Sequence, residues 1–176
     1  MSINNDESLI DFTQKLIQTP SPSGEENDIA KIIYNKMKKI GYDDITIDDK
    51  NNVTGIIHGK RHGINLLFNG HIDHADTGNM IDPFSGKIID GKIFGTEGDV
   101  IYGRGACDMK SAIAAMIYAG ANLLNNKDRL SGSIYVNAVS LEEQARGEGI
   151  KYYLDNTNNI FDASVSGEAT NMDVHL

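Results

Sequence analysis

Apolar residues recur at helical spacing over roughly the first forty positions and then give way to short strand-like runs. Leu9, Ile10, Phe12, Leu16 and Ile17 predict a helix from Asp6 to Thr19, stopped by Pro20. Ser21-Pro22-Ser23-Gly24 reads as a turn, with Ser23 as a cap and Glu26, three residues on, completing a capping box. The next helix runs to about Ile40, burying Ile29, Ile32, Ile33, Met37 and Ile40, and Gly41 ends it. Strands follow at Ile45–Ile47, Val53–His58 and Ile64–Asn69, the last apolar enough to be central and buried. Residues Thr77–Gly98 are loop-like, apart from a small hairpin over Lys87–Phe94 turning at Asp90-Gly91. A helix from Ala112 to about Asn125 carries Ile113, Met116, Ile117, Ala121 and Leu124 on one face. A strand at Ser133–Val139, a helix at Glu148–Asn156 and a strand at Ala163–Ser166 complete the chain. This alternation predicts an α/β domain of three α/β/α layers with a mostly parallel sheet.

A chain of 176 residues suits one domain with a sizeable core. The 16 basic residues against 25 acidic ones give a net charge of −9, which argues against a nucleic-acid partner. The single cysteine, Cys107, rules out an intramolecular disulfide and points to a reducing compartment. No His or Asn arrangement marks it as a nucleophile, so it reads as a small residue filling a tight loop. The N-terminal residues lack a signal-peptide pattern, and no apolar run approaches the ~18 residues of a membrane span. A cytoplasmic location without membrane contact is the expectation.

The candidate chemistry lies where strands end. Gly103-Arg104-Gly105-Ala106-Cys107-Asp108-Met109-Lys110-Ser111 is a glycine-rich loop entering a helix, and Asp108 alone reads as a helix cap. As a phosphate loop the stretch fails, because Met109 rather than Gly precedes Lys110. Upstream, His71 and Asp73 share a face of an extended segment and suit a metal ligand with its orienting partner. That pair alone is equally a solvated loop pair, and His74 and Asp76 repeat the pattern nearby. Glu142-Glu143 follows a buried-looking strand at the end of the sheet where ligands bind in open α/β folds. Adjacent carboxylates there can divide two tasks, ligating a metal and taking a proton from an activated water. Glu168 follows the next strand. His71, Asp108, Glu142/Glu143 and Glu168 together make the ligand set of a hard-to-borderline divalent ion.

Five elements in this order resemble the M20 metallopeptidase family, which includes acetylornithine deacetylase, succinyl-diaminopimelate desuccinylase, carboxypeptidase G2-like enzymes and aminoacylases. They are Thr19–Glu25, Gly70-His71-Ile72-Asp73, Gly103–Lys110, Leu141-Glu142-Glu143 and Gly167-Glu168-Ala169-Thr170, spread over nearly the whole chain. The resemblance implies a zinc-exopeptidase-like fold and hydrolysis of an amide in N-acyl amino acids or small peptides. It implies two zinc ions per complete site, with cobalt or manganese as substitutes. His71 would bind the first metal and Asp73 would orient it. Asp108 would bridge both metals ahead of a cis peptide to Met109. Glu142 would be the general base, Glu143 a ligand of the second metal and Glu168 a ligand of the first. The Gly-Glu-Ala-Thr form is similar to a branch of selenium-metabolism-linked hydrolases.

The resemblance also implies a longer protein, with a lid domain used for dimerisation after Gly-Glu-x-Thr. A returning catalytic segment would then supply a further histidine ligand, and the lid a histidine that stabilises the transition state. Residues 1–176 therefore read as the N-terminal portion of a metallopeptidase catalytic domain, truncated before the lid. His175 falls in a short apolar segment and reads as structural, and His58 and His62 as exposed turn residues. Two functions remain open at this point: a hydrolase, with little or no activity from this portion alone, and a non-catalytic metal-binding remnant.

Overall fold

The computed structural model describes residues 8–144, 147–170 and 173. The expected helix start at Asp6 and the residue His175 lie outside them. Helix α1 spans Leu9–Ile17 and opens with a reciprocal capping box, in which Asp11 N–H donates to Ser8 Oγ (3.1 Å) and Ser8 N–H to Asp11 Oδ2 (2.9 Å). Helix α2 spans Asn27–Ile40 and ends at Gly41 as expected. The capping box expected at Ser23 and Glu26 does not form. Glu26 precedes the helix with no side-chain cap, because its carboxylate turns inward to accept from Gly24 N–H (2.9 Å) and Leu141 N–H (3.1 Å).

Strands β1 (Asp44–Ile47), β2 (Val53–His58), β3 (Arg61–His71), β6 (Ser131–Val139) and β7 (Ala163–Ser166) form one sheet in the order β1-β2-β6-β3-β7. β1–β2 and β2–β6 pair antiparallel, while β6–β3 and β3–β7 pair parallel, so the sheet is mixed and its parallel half holds the site. β3 and β6 begin earlier than their apolar runs because the polar residues at their starts are exposed yet still paired. The Asp90-Gly91 turn does not fold Lys92–Phe94 back as a strand. Those residues form a short 3-10 turn, and β4 (Lys87–Asp90) pairs instead with β5 (Asp99–Tyr102).

Alternation along the strands builds two layers of contact. Val53, Ile57, Val136 and Ala138 face α1, α2 and α3 (Ser111–Leu124), where Phe12, Ile29, Ile33, Met37, Ile113 and Ile117 complete the main core. On the opposite face Leu67 and Tyr135 pack with Tyr153 of α4 (Glu148–Asn156). The three expected layers are present. Among the described residues, no helix is long and apolar enough to cross a membrane.

Asn52 anchors the exit of β6. Its Oδ1 accepts from Ser140 N–H (2.9 Å), and its Nδ2 donates to Asp48 Oδ2 (2.8 Å) and Gly149 O (3.0 Å). One buried amide thus joins the turn after β1, the end of β6 and the start of α4. Asn52→Ala strands the buried Ser140 N–H and removes the links to Asp48 and Gly149, and should lower stability by about 1–3 kcal/mol in urea unfolding.

Candidate metal centre

The three parallel strands β6, β3 and β7 end side by side. Register aligns Val139 with His71 and Asn69 with Ser166, so the segments bearing Glu142, His71 and Glu168 leave the same edge of the sheet. His71 and Asp73 turn to the same side, as their spacing predicts. His71 Nδ1 donates to the Asp73 carbonyl (3.1 Å) and lies 3.4 Å from Asp73 Oδ1, which leaves Nε2 facing outward.

Asp108 reaches this edge from the other direction and does not cap a helix. Lys110 occupies the cap position of α3, and Asp108 adopts φ −118° and ψ 97° within the irregular turn Ala106–Lys110. The Asp108–Met109 peptide bond is cis. The turn is held from three sides. Gly105 takes φ +78°, in the left-handed region where a side chain is disfavoured. Met109 is fully buried and its Sδ accepts the His71 N–H (3.2 Å). A Cβ on Gly70 would stand 2.4 Å from Met109 Cε, so the glycine before His71 is what lets Met109 lie against the strand. Lys110 is also fully buried and donates to the carbonyls of Leu16 (3.1 Å) and Thr19 (2.8 Å), tying the turn to the end of α1. Burial pulls its ammonium down to about 7. Cys107 is exposed, so it does not fill the loop, which Met109 and Lys110 fill instead.

His71 Nε2 lies 2.8 Å from Asp108 Oδ1 and 3.9 Å from both Glu142 Oε2 and Glu168 Oε2. His71, Asp108 and Glu168 each offer a donor atom within 4.8 Å of the others, and no second such group exists among the described residues. Glu143 lies beside this group, with its Oε1 accepting the Ala75 N–H (2.8 Å). Asp73 is buried beneath them and accepts from Ser23 Oγ (2.6 Å), Glu142 N–H (3.0 Å) and Glu143 N–H (3.0 Å).

The electrostatics fit a divalent cation. Burial alone would lower the His71 pKa, but hydrogen bonds to Asp73 and Asp108 and their charges raise it to about 9. Burial would raise Asp73, and its bonds with His71, Ser23 and the Glu142 and Glu143 amides outweigh that and hold it below its usual value. Glu142 and Glu168 are both raised, by burial first. The charge of His71 opposes this, and the neighbouring carboxylates add to it. One imidazole nitrogen and two carboxylates facing a common point, inside a negative cluster, are the donors such an ion takes.

Sequence reasoning brought His71, Asp108 and Glu168 to the site but missed the supports beneath them. Ser23 and Glu26 read as a helix cap, because a Ser three residues before a Glu carries that signature whatever else it bonds. Glu26 instead receives the N–H of Leu141, which adopts φ +56°. The usable signal for Lys110 was a lysine inside an otherwise apolar helix entry.

Asp73→Asn keeps the shape of the side chain but removes a charge that fixes the His71 ring. It should weaken zinc binding about 10–100-fold by calorimetry. The raised His71 pKa sets a pH dependence. Ion pairing of the protonated ring stabilises the metal-free fold fully below pH 6.5, and that contribution is lost as pH rises towards about 9. A cation bound through His71 would displace the same proton, so the apparent affinity for added zinc should rise about tenfold per pH unit between pH 6 and 8. A flat profile would mean that His71 is not a ligand.

Residues 67–175 match the family model of peptidase family M20/M25/M40. The succinyl-diaminopimelate desuccinylase of Wolbachia pipientis wMel is 33% identical over 169 residues, covering 92% of this chain and 40% of that enzyme. The desuccinylase of Acinetobacter baylyi is 30% identical over 145 residues, covering 79% of this chain and 36% of that enzyme. Among solved structures, the M20 family metallo-carboxypeptidase Sso-CP2 of Sulfolobus solfataricus superposes with a TM-score of 0.74 at 22% identity, covering 91% of this chain and 37% of that one. A dinuclear metal-binding M20 peptidase of Bacillus subtilis gives 0.69 at 19%, covering 91% and 42%. At these identities the structures establish a shared α/β fold. The chain spans about 40% of the length of the curated relatives it matches. With its ordered motifs, mixed sheet and converging donors, the chain belongs to the M20/M25/M40 peptidase family.

Proposed function

We propose that this chain supplies the metal site and the general base of a hydrolase that cleaves an amide bond in N-acyl amino acids or small peptides. The observation that carries this reading is the convergence of His71, Asp108 and Glu168 with Glu142 Oε2 only 3.9 Å from the imidazole nitrogen. Zinc suits the donor set, with cobalt or manganese as substitutes, and a second ion would share Asp108 and take Glu143. When bound, the cation polarises a carbonyl and acidifies water.

The chain's own residues do the rest. His71 presents Nε2 because Nδ1 is tied to the Asp73 carbonyl. Glu142 is held by its backbone amide on Asp73, so its carboxylate stays over the donors, where it can take a proton from water and pass it to the leaving nitrogen. The raised pKa of Glu142 brings it nearer the operating pH of a base that must also release its proton.

A specific observation favours the second reading, a metal-binding chain without turnover of its own. Among the described residues Asp108 and Glu143 are the only expected donors for a second ion, and Glu143 is engaged with Ala75. Zinc titration of the 176-residue chain should give about one tight site, since ligand count sets affinity. His71→Ala should remove it, while Glu143→Ala and Glu142→Gln should leave it. Both His71→Ala and Glu143→Ala leaving binding unchanged would overturn the ligand assignment. On N-acyl amino acids and dipeptides with zinc, cobalt or manganese, the chain alone should show no turnover above a Glu142→Gln control. Robust turnover lost in that control would mean that these residues complete a catalytic site by themselves.

A further inference from the structure

Between the sheet and α4 runs a row of polar side chains that the hydrolytic reading leaves unused. Thr54, Asn137 and Asn69 are Cα partners on β2, β6 and β3. Asn69 Nδ2 extends the row by donating to Ser166 Oγ on β7 at 3.2 Å. Alternation puts these residues on the face shared by Tyr135 and Leu67, which pack with Tyr153 of α4. His71 follows Asn69 two residues later, so the row lies about 7 Å down the strands from the metal ligands.

Asn137 is fully buried, and neither Oδ1 nor Nδ2 has a protein partner among the described residues. Asn69 Oδ1 and the Tyr153 hydroxyl are likewise buried and unpartnered. A buried amide with no partner is strongly disfavoured, and native proteins satisfy such groups with ordered water where several polar atoms meet. Space borders each of the two strand partners of Asn137, which itself lines neither cavity. Asn69 and Ser166 line a cavity of about 150 Å³ that also touches His71, Glu142 and Glu168. Thr54 lines a groove of about 360 Å³ with Asn52, Tyr153 and Asn159. Asn137 stands between its two strand partners, one bordering each space.

We propose that Asn137 anchors ordered water beneath α4, hydrating Asn69 and linking the outer groove to the cavity under the metal ligands. Water and protons can then reach that cavity through the fold as well as through its mouth. The proposal does not depend on which reaction the site performs, because it rests on side chains that no ligand assignment uses.

The test uses the intact 176-residue chain without metal. Magnetic relaxation dispersion of the water signal counts molecules held for long times inside a protein. Asn137→Leu has a similar volume and no polar side-chain atom. It should lose at least one long-lived water, and its urea midpoint should fall because Asn69 Oδ1 loses its partner. An unchanged count overturns the proposal, and so does a raised midpoint, which would mean that the amide had been dry. Should that variant not fold, Asn69→Leu read by the same count decides: a lost water supports the proposal and an unchanged count overturns it.

Discussion

The arrangement depends on one buried carboxylate. Asp73 has no solvent exposure, yet its pKa is held below the usual value by the His71 imidazole first, then by Ser23 Oγ and two consecutive backbone N–H groups that point at it. These contacts join three parts of the chain that are remote in sequence: the turn before α2, the end of β3 and the turn after β6. Each arrives on a separate element, and none could be aligned by local geometry. A group whose charge must be matched on every side specifies position more sharply than apolar packing, which tolerates small slips. Asp73 therefore fixes how the turn after β6 and the turn before α2 sit against the end of β3.

Above Asp73 the balance reverses. Asp108, Glu142 and Glu168 gather around a single imidazole, and burial first, with the neighbouring carboxylates adding to it, raises the pKa of Glu142 and of Glu168. The supports below are hydrogen-bonded, while Asp108, Glu142 and Glu168 all face the one nitrogen His71 Nε2. Such an arrangement concentrates its unfavourable electrostatics where a cation would relieve them, and any ion that binds the folded chain alone also stabilises it.

Much of this was legible because it rests on local rules. Apolar spacing located the helices and strands, and alternation put His71 and Asp73 on one face. What local rules could not carry was competition between partners. Glu26 has the spacing of a capping residue, but a distant N–H at Leu141 offered a buried bond that the cap could not match. Asp90-Gly91 has the composition of a tight hairpin, but Lys92–Phe94 coil into a turn, and pairing passes to Asp99–Tyr102. Asp108 looks like a cap until Lys110, buried against the carbonyls of α1, shifts the helix start past it. In each case the deciding contact lies outside the local segment, about a hundred residues away for Glu26 and Lys110, and only the three-dimensional structure brings it close.

The donors differ in how firmly the fold holds them. His71 ends an eleven-residue strand between two neighbours, whereas Glu168 follows the four-residue β7, which is exposed throughout and, among the described residues, paired along one side only. A short edge strand opens at lower local cost than a central one, so the segment bearing Glu168 is held less firmly than the segment bearing His71. An ion held by Glu168 would couple its own capture to the closing of the sheet's margin. The measured affinity would be the intrinsic attraction less the free energy of ordering that margin, and amide exchange in β7 would register occupancy at a metal the strand backbone never touches.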